Sequence, residues 1–208
     1  MAKLSVLILA KNEEKNIADC IRSVAFADEV VVIDDFSEDR TAAIAESLGA
    51  HVVQRAMKGN WGEQQTFAIK QASHDWIFFL DADERASKRL AAKVREVVAA
   101  DDRRYAYNIA RLNYFWEQPL RHGGWFPDYG IHLLPREGVY VTGFVHPQIH
   151  HAYEEEHLLK QEHIIHYPYR DWEHYFNKLN LYTTLAAKKM KEAVFDSIVT
   201  HCKDSYVA

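Results

Sequence analysis

The chain has 208 residues, of which 48% are hydrophobic and 26% are charged, so its composition is that of a globular protein with a sizeable core. Its net charge of −5 argues against nucleic-acid binding, and its two cysteines are too few for a disulfide framework, which favours a reducing, cytoplasmic location. No apolar stretch approaches the roughly 20 residues that span a membrane, and we expect a single domain over residues 1–208.

The first hundred residues predict strands that alternate with helices. The predicted strands are Leu4–Ala10, Glu29–Ile33, Ala50–Gln54 and Trp76–Leu80. Helices are predicted after a cap at Asn12, from a cap at Ser37 as far as Gly49, around Thr66–Ala72, and after a cap at Ser87. Alternation of this kind builds βαβ units, so the predicted fold class is α/β, with a mainly parallel sheet and helices on both faces.

The pattern changes from Tyr105 onward. The stretches YAYNIARLNYFW and IHLLP predict strands, joined by the loop RHGGWFPDYG. Beyond Asp171 the sequence predicts one long helix or two, with Ala186, Met190, Ala193 and Ile198 on the apolar side. We therefore expect a βαβ half over residues 1–100, followed by a β/α region over residues 101–208.

Acidic pairs follow two of the predicted strands. Asp34 and Asp35 follow the second strand, and Asp81 and Asp83 follow the fourth. The carboxyl ends of parallel strands form the ligand-binding edge of an open sheet, and paired carboxylates there favour a divalent cation with oxygen ligands. The alternative is structural: Asp34 caps the next helix, and Asp81 and Asp83 begin a turn.

Two other classes of protein also place acids at strand ends. Phosphoryl-aspartate phosphatases and response-regulator receivers carry their first acids after the first strand. Here that strand ends on Ala10, Lys11 and Asn12, which disfavours both classes.

Several motifs together resemble a known family. The stretches SVLILAKNEEKNIADCIRSV, VVIDDFSEDRTAAIA and DWIFFLDADE resemble the nucleotide-sugar half of a family 2 glycosyltransferase of the GT-A fold. The later stretches RLNYFWEQPLRHGGWFPD, GVYVTGFVHPQI and IIHYPYRDWEHYFNKLNLYTTLAA are similar to the branch that includes lipopolysaccharide inner-core β-1,4-glucosyltransferases. The resemblance runs from Lys3 to about Lys191, and it makes residues 1–100 the nucleotide-sugar half and residues 101–208 the acceptor half.

The resemblance implies a UDP-sugar donor and a set of residues that bind it. Asp34 and Asp35 would contact the uracil and ribose, and Ala10, Asn12 and Glu13 would lie alongside the nucleotide.

The same resemblance implies the chemistry of the reaction. Asp81 would contact the ribose and the metal, and Asp83 would bind the Mg²⁺ or Mn²⁺ ion on the diphosphate, with His146 or His166 as a candidate third ligand. Asp128 would be the base that deprotonates the acceptor hydroxyl in an inverting transfer. The expected reaction moves a hexose, glucose by this resemblance, to a lipid-linked or core oligosaccharide. Peripheral contact with the cytoplasmic face of the inner membrane is compatible with it.

The chain departs from its relatives at two positions. His132 stands where they commonly have Arg, and Pro147 stands where they have Glu after the His of a VHE motif. These departures keep a second hypothesis open, a UDP-sugar-binding protein with weak catalysis. A nucleotidyltransferase is disfavoured, because the Gly-rich, basic loop that such enzymes carry after the first strand is missing.

Overall fold

The computed structural model describes residues 1–144, 147–169, 171–180, 183, 184 and 187. The chain divides into two compact units, Met1–Pro168 and Tyr169–Ala208. The expected organisation, one domain with halves that meet near residue 100, stays a prediction.

Strands and helices alternate through the first hundred residues. The strands are β1 (Leu4–Ala10), β2 (Glu29–Asp34), β3 (His51–Gln54), β4 (Trp76–Asp81), β5 (Glu84–Ala86), β6 (Tyr105–Phe115), β7 (Gln118–Pro119), β8 (Asp128–Pro135), β9 (Tyr140–Thr142), β10 (Gln148–His150), β11 (Glu154–His157) and β12 (His163–His166). The helices of the first hundred residues are α1 (Ile17–Ser23), α2 (Thr41–Ser47), α3 (Trp61–Gln71) and α4 (Lys88–Ala100). All four predicted early strands are present.

The first four strands form a parallel sheet in the order β3–β2–β1–β4. Because alternate residues of a strand point to opposite faces, β1 contributes to two cores. Val6 and Ile8 pack in the core that includes residues of α1, α2 and α4, whereas Leu7 packs in the core that includes residues of α3. Helices therefore cover both faces of the sheet, and the predicted α/β fold is confirmed.

The sheet continues as a mixed sheet through β8, β6, β12 and β5. β8 is antiparallel to both β4 and β6, and β12 is parallel to β6. Since β8 runs opposite to β4, its first residue, Asp128, lies at the edge where β1, β2 and β4 end. The last residues of β6 and β12 lie at this edge as well, so strands from both halves of the chain converge there.

Two of the predicted helix caps are wrong. α1 follows Asn16, and the side chain of Asn12 instead accepts a hydrogen bond from the backbone N–H of Glu38. α2 follows Arg40, and the hydroxyl of Ser37 accepts from the backbone N–H of Asn12. Both side chains satisfy backbone groups of a neighbouring loop, so they tie the loops after β1 and β2 together.

The remaining helix ends agree with the prediction for α4 and α2 and differ from it for α3. Ser87 caps α4 through Leu90, as predicted, and Gly49 follows α2 with a left-handed φ of +83°. α3 is longer than predicted, because the side chain of Asn60 accepts from the backbone N–H of Glu63 and starts the helix at Trp61. From the sequence, this region is predicted to be a loop, because Gly59 and Gly62 flank the start of the helix.

The predicted C-terminal helix is described only in part. Residues 172–180 are helical, which agrees with the prediction over that range. Ala186, Met190, Ala193 and Ile198, which were placed on its apolar side, lie outside the described residues. Among the described helices, none combines the length and the hydropathy that a membrane span needs.

Candidate active site

Both acidic pairs lie beside the carboxyl end of β1. Ala10 pairs with Asp34 on β2, and Leu9 pairs with Asp81 on β4. The structure therefore brings the two pairs to one edge of the sheet, on either side of the same strand, as the sequence predicted.

Asp34 is fully buried and only half satisfied. Its Oδ2 accepts from the backbone N–H of Ser37 at 3.1 Å and from Nε2 of Gln54 at 3.3 Å. Its Oδ1 is also buried and has no hydrogen-bond partner among the described residues. A buried carboxylate oxygen without a partner costs free energy, so the site favours a hydrogen-bond donor at this position. The alternative role for Asp34, as the cap of α2, is wrong, because that helix begins at Thr41.

Asp35 has a partner at each oxygen. Its Oδ2 forms an ion pair with Lys11 Nζ at 2.8 Å, and its Oδ1 accepts from the backbone N–H of Met57 at 2.9 Å. Asp35 therefore joins the loop after β1 to the loop after β3, a structural role that the sequence did not reveal.

The residues predicted to flank the nucleotide are hydrogen-bonded to the loop after β2. Residues 10–13 and 35–37 together form one border of the site, which we call the lip. The carbonyl of Ala10 accepts from the backbone N–H of Asp35 at 2.9 Å. Asn12 adopts a left-handed φ of 54° and donates its backbone N–H to Ser37. The backbone N–H of Glu13 donates to the hydroxyl of Thr41 at 2.7 Å. Ala10, Asn12 and Glu13 thus lie beside Asp34 and Asp35.

Asp81 and Asp83 lie on the other side of β1, next to Glu84. Burial, together with the charges of Glu84 and Asp83, raises the pKa of Asp81 to about 7. Burial contributes most to this shift, and the two neighbouring acids further destabilise the charged form of Asp81. A divalent cation near these carboxylates would favour the charged form of Asp81.

His166 lies beside Asp83. Its Nδ1 donates to Oδ1 of Asn113 at 2.6 Å, and its Nε2 lies 3.5 Å from Oδ2 of Asp83. Burial alone would lower the pKa of His166, but the hydrogen bond and charge of Asp83 outweigh burial and raise it. In the described part of the chain, no three His, Cys, Asp or Glu side chains form a metal-binding group, and the other candidate ligand, His146, lies outside that part.

Asp128 is paired with an arginine that the sequence analysis did not identify. Arg111 donates from Nε and Nη2 to Oδ2 of Asp128, at 3.0 and 2.7 Å. Its Nη1 lies 3.4 Å from Oε1 of the buried Glu84. Burial disfavours the charged guanidinium, but Glu84 and Asp128 outweigh burial and raise the pKa of Arg111. Arg111 thus stays charged between two acids.

His132 is neutral in this setting. Its Nδ1 donates to the carbonyl of Phe79 at 3.0 Å, and burial lowers its pKa. The fixed positive charge beside Asp128 and Glu84 therefore belongs to Arg111 and not to His132.

A close backbone approach also went unpredicted. A Cβ added at Gly62 would stand 2.6 Å from the carbonyl carbon of Thr142. Instead, the backbone N–H of Gly62 donates to Gly143 and that of Trp61 to Phe144, at 2.9 and 3.1 Å. Only glycine fits where the start of α3 meets this segment.

Comparisons with known proteins agree with these features. A family model described as Glycosyl transferase family 2 matches residues 5–168. An uncharacterized glycosyltransferase of Rickettsia felis is 44% identical over 115 residues, which are 54% of this chain and 40% of that protein. The lipopolysaccharide core biosynthesis glycosyltransferase LpsC of Rhizobium meliloti is 37% identical over 115 residues, which are 53% of this chain and 43% of LpsC. The chain thus spans about two fifths of each of these relatives.

The fold has a counterpart among solved structures. A crystal structure of S. aureus TarS 1-349 in complex with UDP-GlcNAc superposes with a TM-score of 0.58, covering 83% of this chain and 60% of that one, at 18% sequence identity. This likeness concerns the fold, and the predicted GT-A fold is confirmed.

Proposed function

Because the chain belongs to glycosyl transferase family 2, we propose that it transfers a hexose from a UDP-sugar to a lipopolysaccharide-core or other cell-surface glycan, with inversion at the sugar. Glucose is the proposed hexose, and the cytoplasmic face of the inner membrane is the proposed place of the reaction. The acceptor class is supported by the 37% identity to LpsC, whose name assigns it to lipopolysaccharide core biosynthesis.

One observation carries the proposal: Asp81, Asp83 and Glu84 come together at the carboxyl end of β4, where the backbone N–H of Asp81 donates to Oε2 of Glu84 at 2.9 Å. Acids held this close at a ligand-binding edge fit a divalent cation, and Mg²⁺ typically takes one or two carboxylates and completes its shell with phosphate oxygens and water. We therefore assign Asp81 and Asp83 as the residues that hold Mg²⁺ or Mn²⁺. The bound cation would neutralise charge on the diphosphate as UDP leaves.

Asp34 and Asp35 are proposed to recognise the nucleoside. The unpartnered Oδ1 of Asp34 matches a donor such as the ring N–H of uracil or a ribose hydroxyl. Because that oxygen is closed to solvent, binding would have to displace part of the lip formed by residues 10–13 and 35–37. Asp35, whose oxygens already hold Lys11 and Met57, would act mainly by keeping this lip in shape.

Asp128 is proposed as the base. It takes the proton of the acceptor hydroxyl while the acceptor oxygen forms a bond to the anomeric carbon, and the bond from that carbon to the diphosphate breaks on the opposite face. Its position at the start of β8 supports this role, because the carboxylate is 43% exposed and lies at the same edge as Asp81.

A second candidate function is UDP-sugar binding with weak turnover. The neutral state of His132 favours it, because a neutral imidazole supplies no charge to stabilise the leaving diphosphate. Under this alternative, the acidic edge would bind the nucleotide without positioning an acceptor.

Calorimetry and an activity assay together separate the two candidates. UDP would be titrated into the protein with Mn²⁺, and UDP release would be measured from UDP-glucose, UDP-galactose and UDP-N-acetylglucosamine. We expect binding together with release from at least one donor. Binding without release from any donor would favour the second candidate, and the absence of binding would contradict both.

A further inference from the structure

We propose that Arg111 is a positioning residue that sets the direction of the Asp128 carboxylate and ties it, through Glu84, to the acidic group at the end of β4. This inference rests on the proposed function, because it concerns the base of that reaction.

The first support is the sheet register. Arg111 on β6 pairs directly with Asp128 on β8, so both side chains lie on the same face of the sheet. Both close bonds from the guanidinium, 3.0 Å from Nε and 2.7 Å from Nη2, end on Oδ2 of Asp128. The fork therefore fixes one oxygen and leaves Oδ1 to take a proton.

The second support is the anchor behind Arg111. Glu84 has 1% of its side chain exposed, and its Oε2 accepts from the backbone N–H of Asp81 at 2.9 Å. Its Oε1 faces Nη1 of Arg111 at 3.4 Å, the distance of an ion pair with a weak hydrogen bond. A buried carboxylate that is fixed on the strand end thus holds the far side of the guanidinium.

This series of contacts gives Arg111 a role that an ion pair on the protein surface does not have. It runs from the backbone of Asp81 through Glu84 and Arg111 to Asp128, and so it couples the position of the base to the place where the donor's cation is proposed to bind. Lys cannot reproduce it, because a single ammonium group does not present the planar fork that contacts Glu84 and Asp128 together.

The other role open to Arg111 is direct contact with the donor diphosphate. Three guanidinium nitrogens are already directed at Glu84 and Asp128, and only 32% of the side chain is exposed. The structure thus favours positioning. If Arg111 contacts the diphosphate instead, its substitution weakens UDP binding, and this separates the two roles.

The test is a double-mutant cycle on Arg111→Lys and Asp128→Asn. UDP release would be measured in Mn²⁺, with water as the acceptor and with UDP-glucose, UDP-galactose and UDP-N-acetylglucosamine as donors, and UDP affinity would be measured by calorimetry. The matched control is Arg104→Lys, since Arg104 contacts Asp102 through the same two nitrogens, Nε and Nη2, at the other end of β6. Thermal melting verifies folding, and Arg111→Gln, whose amide keeps a donor, replaces Arg111→Lys if the latter does not fold.

The cycle gives a specific expected result. Arg111→Lys lowers kcat roughly tenfold, because a displaced base loses its alignment, and it leaves the Kd for UDP unchanged. In the Asp128→Asn background the same change has no further effect, because the residue that it positions no longer acts as a base. Arg104→Lys behaves as the unmodified protein.

The contrary outcomes are distinct. If Arg111→Lys lowers kcat by the same factor with and without Asp128, or if it weakens UDP binding, the positioning role is overturned while Asp128 remains the base. If Asp128→Asn turns over normally, the base assignment of the proposed function is overturned, and the inference with it. If the unmodified protein releases UDP from none of the donors, the transferase proposal itself is overturned together with this inference.

Discussion

Two sides of the candidate site hold their carboxylates in place by different means. We call them by their proposed roles. The donor side comprises residues 10–13 with Asp34 and Asp35, and the acceptor side comprises Glu84, Arg111, Asp128 and His132. On the donor side, each acid accepts from a backbone N–H of an adjoining loop and has a side-chain partner of its own, Gln54 for Asp34 and Lys11 for Asp35. On the acceptor side, the guanidinium of Arg111 is shared between two carboxylates that are far apart in sequence.

This difference predicts how substitutions behave on the two sides. Asp34 and Asp35 have different partners, so loss of one of these acids should leave the contacts of the other largely in place. A shared charge couples its partners, so substitutions on the acceptor side should not be additive. Asp81 and Asp83, at the end of β4, lie between the two sides.

The largest expected effect belongs to Asp83, because both sides depend on the cation that it is proposed to hold. Asp83→Ala should lower UDP release by roughly 10³-fold or more, since the cation contributes several kcal/mol to stabilising the leaving diphosphate. Steady-state release assays in saturating Mn²⁺ measure this. Asp19→Ala, at an exposed ion pair on α1, is the control. Wild-type rates in the Asp83 variant would remove this acid from the mechanism.

A smaller loss is expected on the acceptor side. Asp128→Asn keeps the shape of the side chain but removes the base, so kcat should fall roughly 10²-fold while UDP affinity and thermal stability stay near those of the unmodified protein. The comparison variant is Asp102→Asn, because Asp102 also pairs with an arginine but lies away from the site. Turnover at the usual rate in Asp128→Asn would place the base elsewhere, and Glu117 and Glu137 would then be examined.

The donor side should respond in binding. Asp34→Asn should raise the Kd for UDP about tenfold, because it removes a charge-assisted hydrogen bond that contributes about 1.5 kcal/mol. Asp35→Asn should weaken UDP binding less, since both Asp35 oxygens already hold groups of the protein itself. Calorimetry on the two variants side by side compares them. A larger loss for Asp35→Asn would reverse the roles assigned to the two acids.

The smallest expected effect concerns pH and His132. Burial lowers the pKa of His132, so below its unfolded value of about 6.5 the unfolded chain takes up a proton that the folded chain resists. The stability that the neutral histidine contributes is therefore present above about pH 6.5 and is lost as the pH falls through the lower folded value. His132→Gln should reduce the drop in melting temperature between pH 7 and pH 5 by a few degrees. The same change at the exposed His51 should not, and equal pH profiles for both variants would argue against a lowered pKa for His132.

The sequence predicted the donor side better than the acceptor side, for a physical reason. Apolar runs that end on Asp34 and Asp81 identify parallel strand ends directly, because the residues that form the edge follow their strands along the chain. The contact between Arg111 and Asp128 depends instead on the register of β8 against β6, which no local pattern specifies. The role of Glu84 was not predicted, because its partner Arg111 lies on a different strand and far from it in the sequence.

The wrong caps at Asn12 and Ser37 have a related cause. Asn and Ser are preferred both at helix caps and in turns, because their side chains can accept hydrogen bonds from nearby backbone N–H groups. Here those N–H groups belong to another loop across the site, at Glu38 and Asn12. The tertiary contact decided the outcome, and it produced the lip beside Asp34.

The most direct test of the central claim, that this edge binds a UDP-sugar through a cation held by Asp81 and Asp83, is calorimetric titration of UDP into the unmodified protein with Mn²⁺ and then with EDTA. We expect clear binding in Mn²⁺, a large loss of affinity in EDTA, and recovery when Mn²⁺ or Mg²⁺ is restored in excess. Equal affinity for UDP in Mn²⁺ and in EDTA would contradict this claim.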